Sequence, residues 1–332
     1  MRPRIILHIG LPKTGTSAIQ SALDASRDAL LARSAVLYPA AGVARNTQET
    51  GHHNLPRQIR GLATFDPACG VLDDILAEIV SAAPEVAVLS SEGLWELAAH
   101  DPAQFSALVN RFAEIGEVDI ALVMRPEDTF LESSYLQSLR GGHVRAEFER
   151  HLAMFEPRIE RRMAVLDAIA ARARGRLCLG IYDPRINAVE SLLALVGLPG
   201  LAVDLEDPAP RKNLRWGIRH YASIAFAFQR YFRNDAGRQD KLREVGTFAR
   251  REFPPGPTNF GLLSSADRAL VKAVSWDHVR RALASIDGGG DIAAIEETWF
   301  ADMPTPVLPL TPGMLEPHQY RLLVRFINDG IE

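Results

Sequence analysis

Ile5-Ile6-Leu7-His8-Ile9-Gly10-Leu11-Pro12-Lys13-Thr14-Gly15-Thr16-Ser17 is the stretch whose reading decides the fold. Its first five residues are a short apolar run that reads as a buried parallel strand. The residues after them form a tight loop whose hydroxyls open a helix. Backbone N–H groups at a helix start, one lysine and neighbouring hydroxyls make a place for a phosphate. The general nucleotide loop, G-x-x-x-x-G-K-[ST], carries its lysine after the second glycine. Here Lys13 precedes Gly15, and that displacement directs the functional reading.

Three further apolar, β-rich runs follow, at residues 86–89, 120–124 and 177–181, after the first at 5–9. Helix-period segments lie around them, notably 18–31, 71–82, 105–115 and 157–173. Strands alternating with helices imply crossover connections and a mostly parallel sheet. The expected fold class is therefore α/β: a three-layer, P-loop-like parallel sheet flanked by helices, with a mainly helical C-terminal portion. Beyond about residue 205 the alternation stops, and helical patterns cover 216–232, 239–252 and 266–286. A single domain is expected, its core at about 1–205 and a helical layer at about 206–332.

Ligands of such sheets bind beyond the carboxyl ends of the strands. Three features fall there: the Lys13 loop, Ser90-Ser91-Glu92, and Arg125. In the helix expected after Arg125, with Asp128 as its N-cap, Leu131, Tyr135 and Leu139 recur at i+4 and make a core stripe. Thr129, Ser133 and Gln137 fall on another side, so Arg125 and Ser133 can meet one anion across eight positions. Arginine offers a planar fork suited to phosphate, and serine adds a hydroxyl.

With both sites identified, the chain resembles the sulfotransferases that use 3′-phosphoadenosine 5′-phosphosulfate (PAPS). Pro12-Lys13-Thr14-Gly15-Thr16-Ser17 is similar to their 5′-phosphosulfate loop, and the Arg125–Ser133 pair to their 3′-phosphate site. The resemblance covers roughly the first 200 residues as an ordered series. It implies that Lys13 contacts the 5′-phosphate and the bridging oxygen, that Gly15 lets the backbone approach, and that Thr14, Thr16 and Ser17 donate hydrogen bonds. Arg125 and Ser133 would hold the 3′-phosphate. The reaction implied is in-line transfer to an acceptor hydroxyl, leaving adenosine 3′,5′-bisphosphate (PAP), with no metal required. Two departures push the chain toward the bacterial and carbohydrate-type branches of the family. Ala18 stands where the cytosolic members carry an adenine-stacking Trp, and Arg211-Lys212-Asn213 is only an echo of their C-terminal Arg-Lys-Gly run.

An acceptor hydroxyl must lose its proton as sulfur arrives, which places a base near Lys13. Glu92, at the end of the second strand run, is the first choice, since burial there would raise its pKa. His52 and His53, in Gly51-His52-His53-Asn54, are its rivals, because neutral imidazole is a good base near pH 7. Ser90 is placed to assist by a bond to the donor, and His8 is expected to be packed or locally bonded. The acceptor is expected to be a carbohydrate or other small alcohol, on the resemblance alone. A nucleotide-dependent kinase with an atypical loop and a non-catalytic nucleotide-binding module stand as the alternatives.

The bulk numbers bound the rest. The chain has 332 residues, 47% hydrophobic and 23% charged, with a formal net charge of -4. That balance argues against a nucleic-acid or anionic-membrane partner. Cys69 and Cys178 give neither a disulfide framework nor zinc spacing, which fits a reducing compartment. Arg2 and Arg4 precede an apolar run too short for a signal peptide and broken by His8 and Lys13. No stretch is long and apolar enough for a membrane span. A cytoplasmic protein is expected.

Overall fold

The computed structural model describes residues 2–11, 13–44, 49–183, 185–204, 216–284, 292–301 and 306–330. The opening run forms β1 (Arg4–Ile9), and its loop leads into α1 (Thr16–Ala25), α2 (Arg27–Ser34) and a two-residue strand, β2 (Val36–Leu37). The chain continues through α3 (Asn54–Ile59) and α4 (Leu72–Ala82) to β3 (Val86–Ser91). Next come α5 (Gly93–His100), α6 (Pro102–Ile115) and β4 (Glu117–Met124). Helices α7 (Glu127–Arg140), α8 (Phe148–Leu152) and α9 (Phe155–Ala170) precede β5 (Leu177–Ile181), and α10 (Ala188–Leu195) follows it. Beyond that lie α11 (Ile218–Ala227), continued by a π-turn over Phe228–Phe232, then α12 (Arg238–Glu252), α13 (Ser265–Ala284), α14 (Ile292–Phe300) and α15 (Pro317–Gly330). No helix among the described residues is long and apolar enough to cross a membrane.

The five strands form one parallel sheet in the order β2-β3-β1-β4-β5. Parallel strands are covered on both faces, so they read as unbroken apolar runs rather than alternating ones. In β1, Ile5 through Ile9 are all buried. One face of the sheet (Ile6, Val88, Ala121 and Val123) packs on Ile19 and Leu23 of α1, Leu30 of α2 and Leu192 and Leu193 of α10. Helices α5 and α6 pack on β1 and β4.

Two expected boundaries differ from what forms. The helix expected over 18–31 breaks at Ser26, whose ψ of 6° ends α1 while its N–H caps the Ala22 carbonyl. The pattern over 216–232 is interrupted where α11 passes into the wider π-turn.

The described residues group into two compact units, one drawn from 1–126, 160–212 and 276–300, the other from 127–159, 213–275 and 301–332. The first holds the whole sheet. The second is helical among its described residues, and its core joins Tyr135, Leu136 and Leu139 of α7 to Ile224, Phe228, Val245 and Leu323. The stripe expected in α7 is buried, with Leu131, Tyr135 and Leu139 at most 3% exposed. Asp128 is not the N-cap of this helix. It lies inside the first turn, where its Oδ2 accepts from Arg268 at 2.6 Å, while Glu132 accepts from Arg268 at 2.9 Å and from the Leu262 and Leu263 N–H groups.

Candidate functional site

Sheet order fixes where a ligand would sit. The connection leaving β1 runs toward the β2 edge, and the one leaving β4 runs toward β5. Between the carboxyl ends of these adjacent strands the topology therefore switches direction, which opens a crevice. The Lys13 loop and Arg125 follow directly on those two strand ends.

The loop is bent by two left-handed residues, Lys13 with φ 72° and Gly15 with φ 83°. Gly15 is needed there twice over. A Cβ on it would lie 2.5 Å from Ala188 Cβ at the head of α10, and the backbone angle itself disfavours side chains. Gly15 is also the N-cap of α1 and offers no side-chain cap, so the first N–H groups of that helix have no side-chain partner at this position. Arg125 braces the loop, its Nη1 donating to the Lys13 carbonyl at 3.0 Å. Its guanidinium also lies 5.3 Å from the Tyr182 ring centroid. The Lys13 loop, the Arg125 guanidinium and the start of α1 thus lie together just past two adjacent strand ends, and a lysine, an arginine and helix-start N–H groups are a donor set that fits phosphate or sulfate.

The hydroxyls divide differently from the expectation. Thr14 and Thr16 are buried, and both donate to the Leu11 carbonyl, at 2.8 and 3.3 Å. They build the bend rather than present donors to a ligand. Ser17 is exposed in the first turn of α1. Ser133 lies in α7, in the helical unit, and its hydroxyl donates to the Phe130 carbonyl at 3.1 Å. Arg211, Lys212 and Asn213 lie outside the described residues.

Glu92 follows directly on β3 as the N-cap of α5, alongside Gly10, which follows β1. Burial pushes its pKa above the ordinary carboxylate range, and nearby Lys13 pulls against that rise. Both ring nitrogens of His52 are engaged, which argues against its role as the base. It is fully buried, its Nδ1 accepts from the Ser90 N–H at 3.2 Å, and its Nε2 therefore carries the proton donated to the Pro39 carbonyl at 3.0 Å. Burial pulls its pKa down to about 3. His53 is half-buried, with Nδ1 3.0 Å from Ser91 Oγ. Its pKa is lowered by burial, with Glu49 opposing and Arg57 adding to the effect.

Ser90 does not face a ligand either. It is fully buried, 2.8 Å from His8 Nδ1, and accepts from Gln20 Nε2 at 3.2 Å. His8 is buried as expected, and burial lowers its pKa to about 4. Sequence reading missed Tyr182 and Gln20. Tyr182 directly follows β5, so the strand-end rule that selected Arg125 would have selected it too. Gln20 had no comparable signal, since its role depends on which α1 face meets β3.

No family model, curated protein or solved structure matches this chain.

Proposed function

We propose that this protein is a sulfotransferase that moves a sulfuryl group from PAPS to an acceptor hydroxyl, the acceptor being a carbohydrate or other small alcohol. The observation that carries the reading is the junction of Lys13 and Arg125, two cations on adjacent strand ends at the switch point, tied by the Arg125-to-Lys13 carbonyl bond. The donor supplies an activated sulfuryl group on a phosphate leaving group. Lys13 and the α1 N–H groups hold that phosphate, and Arg125 offers its fork to the second phosphate. Glu92 takes the acceptor proton as the acceptor oxygen bonds to sulfur, and the sulfur–oxygen bond to the phosphate breaks. Lys13 stabilises the charge left on that oxygen. Each well-placed charged contact of this kind contributes on the order of 3 kcal/mol to the transition state.

Calorimetry with PAP in metal-free buffer tests the donor site, and binding lost in Arg125→Ala is the expected result. Tighter binding of ATP with Mg²⁺ than of PAP would replace this reading with a kinase. Transfer of labelled sulfate from PAPS to a panel of glycans and alcohols tests the reaction. In that assay Glu92→Gln is expected to lower turnover by about 10²–10⁴-fold without weakening PAP binding. Full activity in that variant would remove Glu92 from its role.

A further inference from the structure

Residues 51–53 run alongside the carboxyl end of β3. Strand β2 pairs with β3 only at Val86 and Ala87. Further along, the His52 N–H donates to the Ser90 carbonyl at 2.7 Å, which brings the next residue, His53, to Ser91. His53 is the N-cap of α3, and the head of that helix is tied down. Asn54 is fully buried, its Nδ2 donating to the Asp66 and Gly70 carbonyls at 2.8 Å each. A turn on, Arg57 holds both carboxylate oxygens of Glu49 at 2.8 Å.

From this anchored helix one bond reaches the backbone that carries Glu92. Ser91 is fully buried, and its Oγ accepts from the Gly93 N–H at 3.2 Å and lies 3.0 Å from His53 Nδ1. Were Nδ1 the donor, the buried hydroxyl would accept twice and its own proton would have no partner among the described residues. The hydroxyl therefore donates to Nδ1, and His53 carries its proton on Nε2. In that tautomer neither ring nitrogen is left to take a proton from an acceptor hydroxyl. On the other side, the Gly10 N–H donates to the Ser91 carbonyl at 3.3 Å. A Cβ on Gly93 would lie 2.6 Å from Pro56 Cγ, so α5 starts in close contact with α3. Glu92 is the residue between these two anchored neighbours.

We propose that His53 is a positioning residue for Glu92: by holding Ser91 Oγ on the Gly93 N–H, it fixes the backbone turn from which the Glu92 carboxylate is aimed. The inference rests on the function proposed above, in which Glu92 is the base, and it gives His53 a part in that function through Glu92. Aim decides the rate of such a step, since a displacement of about 1 Å can cost about 10²-fold. Without the imidazole, the Ser91 hydroxyl is free to rotate. Glu92 then keeps its chemistry and loses its fixed place.

Transfer of labelled sulfate from PAPS to the best substrate of the glycan and alcohol panel, scaled to the folded fraction, tests this. The proteins compared are wild type, His53→Ala, His53→Asn, Glu92→Gln and the double variant His53→Ala/Glu92→Gln. Asparagine carries Oδ1 on Cγ where histidine carries Nδ1, so it accepts from the Ser91 hydroxyl but cannot take up a proton. His53→Ala is expected to lower kcat by about 10–100-fold, with PAP affinity by calorimetry within about twofold of wild type. His53→Asn is expected to return kcat to within about threefold of wild type, and adding His53→Ala to Glu92→Gln to change kcat by less than about twofold. Ser91→Ala removes the same bond from its other end and replaces His53→Ala if that protein does not fold. Full kcat in His53→Ala overturns the inference and leaves His53 a structural residue. An Asn variant as inactive as the Ala variant overturns it in favour of His53 as a proton carrier. A further fall in the double variant overturns it because His53 would then act apart from Glu92. Each of these results leaves the sulfotransferase reading standing, whereas a wild type that transfers no sulfate overturns that reading and the inference together.

Discussion

Gly15→Ala adds one methyl group where two separate costs meet. The first is conformational. Gly15 has φ 83°, and a residue with a Cβ is about 1–2 kcal/mol less stable in that left-handed region. The second is steric. The new Cβ would lie 2.5 Å from Ala188 Cβ, well inside the usual carbon–carbon contact of about 3.5–4.0 Å. Relieving such an overlap by shifting the head of α10 costs about 1–3 kcal/mol. The single substitution is expected to lower unfolding free energy by about 2–5 kcal/mol, the sum of the two. Ala188→Gly separates them, because it empties the overlapped space and leaves φ untouched. In the double variant about 1–3 kcal/mol should return, less the cost of up to about 1 kcal/mol for a glycine in the first turn of α10. Urea unfolding of the four proteins measures the coupling, provided the m-values agree. A Gly15→Ala protein within about 0.5 kcal/mol of wild type, or a double variant that recovers nothing, would refute the geometry assigned to this loop.

The buried imidazoles of His8 and His52 predict a stability that falls in mild acid. Their folded pKa values, about 4 and about 3, lie below the ordinary 6.5, so the unfolded chain binds more protons below pH 6.5. Stability should therefore be level above that pH and decline beneath it, by about 2 kcal/mol per histidine at pH 5. Denaturant unfolding that is unchanged between pH 7 and 5 would contradict this. Arg268→Ala leaves Asp128 and Glu132, whose side chains are 1% and 9% exposed, without their shared cation, and should destabilise by about 3–5 kcal/mol in the same assay. His52→Ala strips a buried acceptor from the Ser90 N–H and a donor from the Pro39 carbonyl. It should cost about 2–3 kcal/mol while sparing PAP binding and turnover in the folded fraction. An inactive yet fully stable His52→Ala protein would return His52 to the candidate bases.

Four of the five strands were legible because strands buried on both faces must be apolar throughout, and a run of Ile, Val and Leu says so without a partner in view. The fifth, Val36–Leu37, was not. It is two residues long, it follows Ala35 in a left-handed conformation, and it exists only through its ladder with Val86 and Ala87. Helix α10 was hidden for a different reason. Its apolar residues run on into 196–203, so the pattern of the sequence does not mark it off as a separate helix. At the site, Lys13, Glu92 and Arg125 were found by their position just past strand ends, which sequence order alone supplies. The inward turn of Thr14 and Thr16 was not readable, because a hydroxyl before a helix serves equally well as an outward donor or as a pin for its own loop. Nor could the sequence separate His52 from His53. Adjacent residues point to different surroundings, and only register shows that His52 bonds the β3 backbone while His53 reaches Ser91.

Lys13 is not glycine, yet its φ of 72° lies in the left-handed region, at a cost of about 1–2 kcal/mol that the surrounding structure must offset. The bond from Arg125 Nη1 to the Lys13 carbonyl holds that bend. Arg125 is in turn stacked on Tyr182, whose N–H donates to the Met124 carbonyl at 2.6 Å. Arg125 is thus both a charge beside the Lys13 loop and a brace for it, so the loss of PAP binding expected in Arg125→Ala would have two causes. Arg125→Lys keeps the charge and loses the planar fork and most of the stacking. Tyr182→Ala keeps the arginine and removes the surface that orients it. If charge alone mattered, the lysine variant would retain PAP affinity within about threefold, and the tyrosine variant would be silent. Bracing predicts the opposite: about tenfold or greater loss in both, because a guanidinium free to swing no longer fixes the carbonyl that aims Lys13. Wild-type affinity in Tyr182→Ala would reduce Arg125 to a point charge and leave the bend of Lys13 to be explained by its own loop.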